Sequence, residues 1–376
     1  MNNDNCENSF NSLATPIYRG STIVFNNFKS FEERRKRQPD GFSYGITGSP
    51  THRELENVIS ELECAKHTIV LPSGQSALVL VLMATLKNGD HVVVPDSCYG
   101  PVRNFLTENL TALGIDVTFV PPRETSFLRE VIQDNTRLIM LESPCSLTME
   151  VQDTEEIVRI AQQKNILTVM DNSWSGPLLF KPMKFGADFV VEAVSKMLNG
   201  HSDVLLGSIS TKDIGWHTKL RNLQDVMGMY VSPDDCYLAL RGIETYPLRQ
   251  EKHSHSARII SQWLENHPAI SSVLHPGLAS SEDNALYNKY FEGYGSVFSF
   301  TLKNEKRLDD FFNALSRFRI GASYGGTVSL IAYYSVESLQ SRSFFKGHSS
   351  LIRVSIGLED SQKLIDDLDY ALKKTL

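Results

Sequence analysis

Three places in the 376-residue chain combine residue types that could do chemistry. The first is Pro72-Ser73-Gly74-Gln75-Ser76, between an apolar run and a helical pattern. A Ser-Gly turn at a helix N-terminus offers free backbone N–H groups to a phosphate. The second is Asp171-Asn172, which ends the apolar run Ile166–Met170. The third is Ser195-Lys196, which ends the run Asp188–Val194. An ammonium beside apolar strand ends is costly unless it is paired or covalently bound. Each has a plainer reading taken alone: an N-cap with a glycine turn, a strand-end turn, a solvated loop lysine.

Set at the same edge of one parallel sheet, the three form the group that pyridoxal phosphate requires. The lysine forms the Schiff base, the aspartate keeps the pyridine nitrogen protonated, and the helix N-terminus holds the phosphate. Competing signatures are missing: there is no G-x-x-x-x-G-K-[ST], H-E-x-x-H, G-x-S-x-G or G-x-G-x-x-G after the early strands. His201-Ser202-Asp203 has the types of a hydrolytic triad, but three consecutive residues cannot converge on one point, so it reads as a loop. His253 and His255 fall in a helical pattern, where i and i+2 point apart, and read as surface histidines.

The elements that must position these residues are legible as alternation. Strands are expected at His67–Leu71, His91–Val94, Ile115–Val120, Thr136–Leu141, Ile166–Met170 and Asp188–Val194. Helical patterns lie between the first five, near Gln75–Leu86, Pro101–Leu113, Ser126–Gln133 and Asp153–Gln163. The last opens with an Asp-x-x-Glu resembling a capping box. Such alternation implies an α/β fold with a mostly parallel sheet flanked by helices. After about Gly242 a long helix, Leu248–Asn266, leads into strands at Ser296–Leu302, Leu330–Ser335 and Leu351–Ile356. A closing helix at Asp360–Leu372 completes a smaller α+β domain. A short helix near Ser30, with Glu32 and Glu33 in its first turn, accounts for the basic run Arg34–Arg37 as a solvated face.

Composition excludes several function classes. Lys+Arg total 37 and Asp+Glu 44, a net charge of −7, which disfavours nucleic acid or an anionic membrane surface as partner. The longest apolar stretch, Ala77–Leu86, is far short of the ~20 residues that span a bilayer. No basic and apolar leader pattern opens the chain. Five widely spaced cysteines (Cys6, Cys64, Cys98, Cys145, Cys236) suit neither a disulfide framework nor a zinc site. A cytoplasmic enzyme is expected.

Longer motifs then add a resemblance. Thr15–Thr22, Tyr44-Gly45 with Gly48-Ser49-Pro50-Thr51, Leu141-Glu142-Ser143-Pro144, Thr148-Met149-Glu150-Val151, Asp171-Asn172-Ser173-Trp174, Gly200-His201-Ser202-Asp203 and Leu351–Asp360 span nearly the whole chain. Together they resemble the Cys/Met-metabolism family of fold type I pyridoxal-phosphate enzymes, most closely the bacterial cystathionine β-lyases. The resemblance implies a transferase-like fold with an N-terminal arm (1–50), a cofactor domain (51–245) and a C-terminal α+β domain (246–376). It implies that Lys196 is the Schiff-base and proton-shuttling residue, Asp171 the pyridinium partner and Tyr99 a catalytic residue stacked on the cofactor ring. Ser73, Gly74, Gln75 and Ser195 would serve the phosphate. Tyr44 would reach phosphate and substrate from a neighbouring subunit, which makes a homodimer the minimum unit and points to a tetramer. Arg353, with Ser323 and Tyr324, would bind the amino-acid substrate.

The implied reaction is β-elimination from cystathionine or a related S-substituted cysteine, giving a thiol, pyruvate and ammonia. The alternatives are a γ-elimination or γ-replacement enzyme and a non-catalytic regulatory paralogue. No metal is expected. Five positions depart from the family pattern: Ile46 for Arg, Cys145 for Gly, Met197 for Tyr, Tyr324 for Trp and Val328 for Glu. They suggest a preferred substrate other than cystathionine.

Overall fold

The computed structural model describes residues 12–339, 342 and 350–376. Cys6 and the start of the expected arm lie outside the described residues. Seven strands form the first sheet: β1 His67–Leu71, β2 His91–Pro95, β3 Asp116–Val120, β4 Thr136–Glu142, β5 Leu167–Asp171, β6 Phe189–Glu192 and β7 Gly207–Thr211. Their order is β1-β7-β6-β5-β4-β2-β3. Pairings from β3 through β6 are parallel, and β7 alone runs against its two neighbours.

Both faces of the central strands are buried, which is why β2, β4, β5 and β6 are largely apolar. Val70, Val93, Ile139, Leu141 and Met170 enter one core cluster, and Ile69, Val92, Val94, Leu138, Met140 and Val169 enter the other. The period-two split is the pleat at work.

A second sheet contains β8 Ile270–Leu274, β9 Val297–Leu302, β10 Arg319–Ile320, β11 Leu330–Tyr334 and β12 Leu351–Ser355, in the order β10-β11-β12-β9-β8. Phe298, Phe300, Ile352 and Val354 pack with Ala257, Ile260 and Leu264 of the helix Tyr246–Glu265. Leu364, Leu368 and Leu372 of the closing helix Ser361–Leu372 complete that core. No helix among the described residues is long and apolar enough to cross a membrane.

Several expectations need correction. The first helix spans Phe28–Glu32, two residues earlier than expected, because the Asn27 side chain accepts the Ser30 N–H and caps it there. The basic run forms a separate 3-10 turn, Arg34–Arg37, with no buried residue. Asp188 stands outside β6 and accepts hydrogen bonds from Thr168 N–H and Oγ1 at 2.8 Å. His255 is exposed as expected, but His253 is 1% exposed. Burial, with Arg249 nearby, lowers the His253 pKa to about 4, so it is a neutral core residue. The helices Pro50–Glu63, Ile214–Met227 and Pro233–Glu244, and strand β7, had no counterpart in the sequence reading.

Candidate active site

The C-terminal ends of β4, β5 and β6 meet the second sheet across a cavity of about 410 Å³. Ser73, Gly74, Gln75, Tyr99, Asp171, Ser195, Lys196, Ser323, Tyr324 and Arg353 all line it. Ten of the eleven expected site residues are therefore brought together. The exception is Tyr44, which is 57% exposed and lines a separate groove with Ile46 and Asp225.

At one end, β1 runs into the helix Gly74–Thr85. Ser73 caps it reciprocally with Ser76: each hydroxyl accepts the other's backbone N–H, at 3.0 and 2.9 Å. The Ala77 N–H goes to the Ser73 carbonyl, so Gly74 and Gln75 keep the first-turn N–H groups that face the cavity edge. Residue 74 must be glycine, since a Cβ there would lie 2.8 Å from the Ala193 Cβ. Below it, a Cβ at Gly207 would lie 2.2 Å from the Ser73 carbonyl oxygen. Gln75 Oε1 is buried without a partner among the described residues. Close backbone packing, free N–H groups and the Ser195 hydroxyl fit a phosphate at this end.

At the centre, Asp171 ends β5 opposite Glu142 of β4 and Val191 of β6. It is 8% exposed and accepts the Ser173 N–H at 3.0 Å. Burial pushes its pKa up against the pull of Ser173. A buried carboxylate so placed gains from a cation, and a protonated ring nitrogen is one. The Ser173 hydroxyl accepts the Ala193 N–H at 2.7 Å, which ties the end of β5 to the turn carrying Lys196.

Lys196 sits on that turn, with its N–H on the Ala193 carbonyl at 2.9 Å and its carbonyl on the Gly200 N–H at 2.8 Å. Its Nζ donates to Ser323 Oγ at 2.6 Å and stands 5.0 Å from the Tyr324 ring centroid. Burial first, then Arg353, lowers its pKa to about 8. Arg353 lies within β12, paired with Ala332 and Ser299, and donates from Nη2 to the Ser323 carbonyl at 3.4 Å. Its guanidinium also faces the Tyr334 and Tyr324 rings at 5.3 and 5.7 Å. Tyr99 is 44% exposed, and burial and Asp171 keep its phenol protonated.

His201-Ser202-Asp203 is an exposed bend, in keeping with a loop. Among the five departures from the family pattern, only Tyr324 lines the cavity. Val328 is 46% exposed, while Met197 and Cys145 are buried. The Cys145 Sγ donates to the Glu142 carbonyl, and burial raises its pKa well above the usual thiol value, so it is inert. Sequence reasoning gave no role to Ser173 or Glu142. Glu142 carries the same signal as Asp171: an acid that ends an apolar strand.

The cavity brings together a helix N-terminus, a buried carboxyl, an amine and a guanidinium. Comparisons with known proteins give the family. Residues 1–373 match the family described as Cys/Met metabolism PLP-dependent enzyme. An L-alanine/L-glutamate racemase of Wolbachia pipientis is 36% identical, with 96% of this chain and 93% of that protein covered. A cystathionine beta-lyase of Bordetella avium is 34% identical over 96% of this chain and 91% of its own length. The structure of cystathionine gamma synthase from Xanthomonas oryzae pv. oryzae in complex with cystathionine superposes with a TM-score of 0.90 at 29% identity, covering 97% of this chain and 94% of that one. The chain belongs to the Cys/Met-metabolism family of pyridoxal-phosphate-dependent enzymes.

Proposed function

We propose that this protein is a cytoplasmic C–S lyase that removes a thiol from Cβ of an S-substituted cysteine and releases pyruvate and ammonia. The observation that carries the reading is the convergence of Lys196 and Arg353 on Ser323, whose hydroxyl meets one and whose carbonyl meets the other. Carboxylate and Cα are adjacent in an amino acid, so a substrate clamped by Arg353 presents its Cα proton beside Lys196 Nζ. When bound, the cofactor supplies the electron sink that makes this proton acidic.

Ser73, Gly74, Gln75 and Ser195 hold the phosphate, and Asp171 holds the ring nitrogen. The guanidinium of Arg353 meets the substrate carboxylate in a planar fork. With a pKa of about 8, Lys196 is neutral for part of the time near pH 7 and takes the Cα proton. The Cβ–S bond then breaks, the sulfur leaves with the electron pair, and water completes the release of pyruvate and ammonia. Leu147, Met149 and Val297 line the cavity too, an apolar wall suited to a small S-alkyl group. We place the protein in a homodimer or larger assembly, in which Tyr44 of the partner subunit completes the phosphate end.

A second reading is racemisation, in which the Cα proton returns from the other side. The relative named as a racemase and the protonated phenol of Tyr99 in the same cavity favour it. A γ-elimination or γ-replacement reading has the Xanthomonas relative as its support.

Product analysis separates them. The cofactor-loaded protein is incubated with cystathionine, cystine, S-methylcysteine, an amino acid with a γ-leaving group, and L-alanine. Pyruvate is the expected product from the first three. Formation of 2-oxobutyrate without pyruvate overturns the β reading, and D-alanine as the sole product replaces it with racemisation.

A further inference from the structure

Two motif glutamates have no part in the chemistry above, yet both are buried beside the cavity. Glu142 is 6% exposed and Glu150 is 7% exposed. Burying a carboxylate is costly unless each oxygen is well satisfied. Each has one partner on the same loop, the stretch Asp96–Tyr99 between β2 and the helix Gly100–Asn104. Glu142 Oε2 accepts the Tyr99 backbone N–H at 2.7 Å, and Oε1 accepts the Ser146 N–H at 2.8 Å. Glu150 Oε2 accepts the Ser97 hydroxyl at 2.8 Å and the Thr148 hydroxyl at 2.7 Å. The Glu150 carbonyl accepts the Cys145 N–H at 2.9 Å, which joins the two glutamates through one segment.

Tyr99 lines the cavity and is 44% exposed, and its backbone N–H is the group that Glu142 holds. The two oxygens of Glu142 each face an N–H, which a carboxyl group can satisfy and a glutamine cannot; burial and Asp171 raise the Glu142 pKa to about 8, so the bonds do not depend on a full charge. The amide of glutamine would set an NH₂ donor against one of them.

We propose that Glu142 and Glu150 are positioning residues for Tyr99: together they fix the loop that sets the ring over the cofactor site. This rests on the reading of Tyr99 as the residue that faces the cofactor. Glu142 is the larger contributor, because it bonds Tyr99 directly.

The test has two arms. Hydrogen exchange is measured by mass spectrometry on the cofactor-free protein, in peptides covering Ser97–Arg103. Glu142→Gln is expected to speed exchange there about tenfold, the loss of one buried hydrogen bond. Ser97→Ala, a milder change that keeps the acids intact, is expected to speed it less. Unchanged exchange in both variants overturns the proposal, and Ser97→Ala decides it alone should Glu142→Gln not fold. In the second arm, turnover is measured for Glu142→Gln, Tyr99→Ala and the double variant, on whichever substrate the product analysis identifies. Glu142→Gln is expected to lower kcat about tenfold with little change in KM. It is expected to have no further effect in the Tyr99→Ala background. Losses that multiply in the double variant show that Glu142 acts by another route and overturn the proposal. If no substrate is turned over the lyase reading fails, while the exchange arm still decides the role of the glutamates.

Discussion

The two walls of the cavity are built differently. On the first-sheet wall, Asp171 ends a buried strand and Lys196 sits on a turn closed by backbone hydrogen bonds on both sides. On the second-sheet wall only Arg353 lies within a strand, while Ser323 and Tyr324 hang on the connection between β10 and β11. Ser323 there has a φ of 110°, a left-handed value that side chains rarely adopt. The one departure from the family pattern that reaches the cavity, Tyr324, lies on this same connection. On the proposed function, the first wall would fix the reaction and the second which amino acid enters.

Substitutions can break or sharpen that contrast. The largest effect is expected from Lys196→Ala, which removes the proposed base from the first-sheet wall. Turnover should fall by roughly 10⁴-fold or more, with the visible absorbance of the bound cofactor altered. An unchanged spectrum would take the amine out of the cofactor's chemistry. On the opposite wall, Arg353→Lys exchanges a planar fork for a point charge. KM should rise about 10- to 100-fold while kcat changes little, as steady-state kinetics would show; an equal loss in kcat would move Arg353 into the chemical step.

The first-sheet wall also has a cost in stability. The Lys196 pKa is lowered to about 8 from 10.5, so the unfolded chain binds its proton more tightly than the folded one. Stability from this group therefore rises with pH between about 8 and 10.5, and below 8 the full penalty applies. Cofactor-free Lys196→Met should be more stable than the unaltered protein by ~1–3 kcal/mol at pH 7. Denaturant titration should show the gap closing as pH approaches 10.5. A gap that is constant with pH would mean packing, not charge, sets it. The smallest effect is expected from Tyr324→Trp on the loop wall. The ratio of kcat/KM for cystathionine over S-methylcysteine should shift by about tenfold, with neither activity abolished.

The same contrast governs what the sequence could disclose. Strands β1 and β5 are runs of β-branched and apolar residues bounded by turns, so the edge that carries Ser73 and Asp171 was legible from pattern alone. Strand β7 was not, because Gly207-Ser208-Ile209-Ser210-Thr211 has no apolar run. Its small residues answer to neighbours that are distant in sequence. Gly207 clears the Ser73 carbonyl, and Ser210 Oγ meets Thr68 Oγ1 at 2.9 Å. Likewise, the position of Ser323 depends on a loop conformation with no periodic trace, and only the longer motif resemblance located it. His253 failed for the converse reason. A helical pattern fixes relative facing but not which face is covered, and here the covered face is the one with His253.

Ser323 has a consequence beyond binding. Glycine would adopt its backbone angle without strain, yet the residue is a serine whose hydroxyl meets Lys196. Conformational ease and catalytic order therefore pull this position in opposite directions. Laboratory selection for heat tolerance alone would favour glycine at position 323 and lose the lysine's anchor with it. Selection on turnover would keep the serine and leave the cost in the fold, so residue 323 is a poor choice for stabilising design and an informative one for watching stability traded against rate.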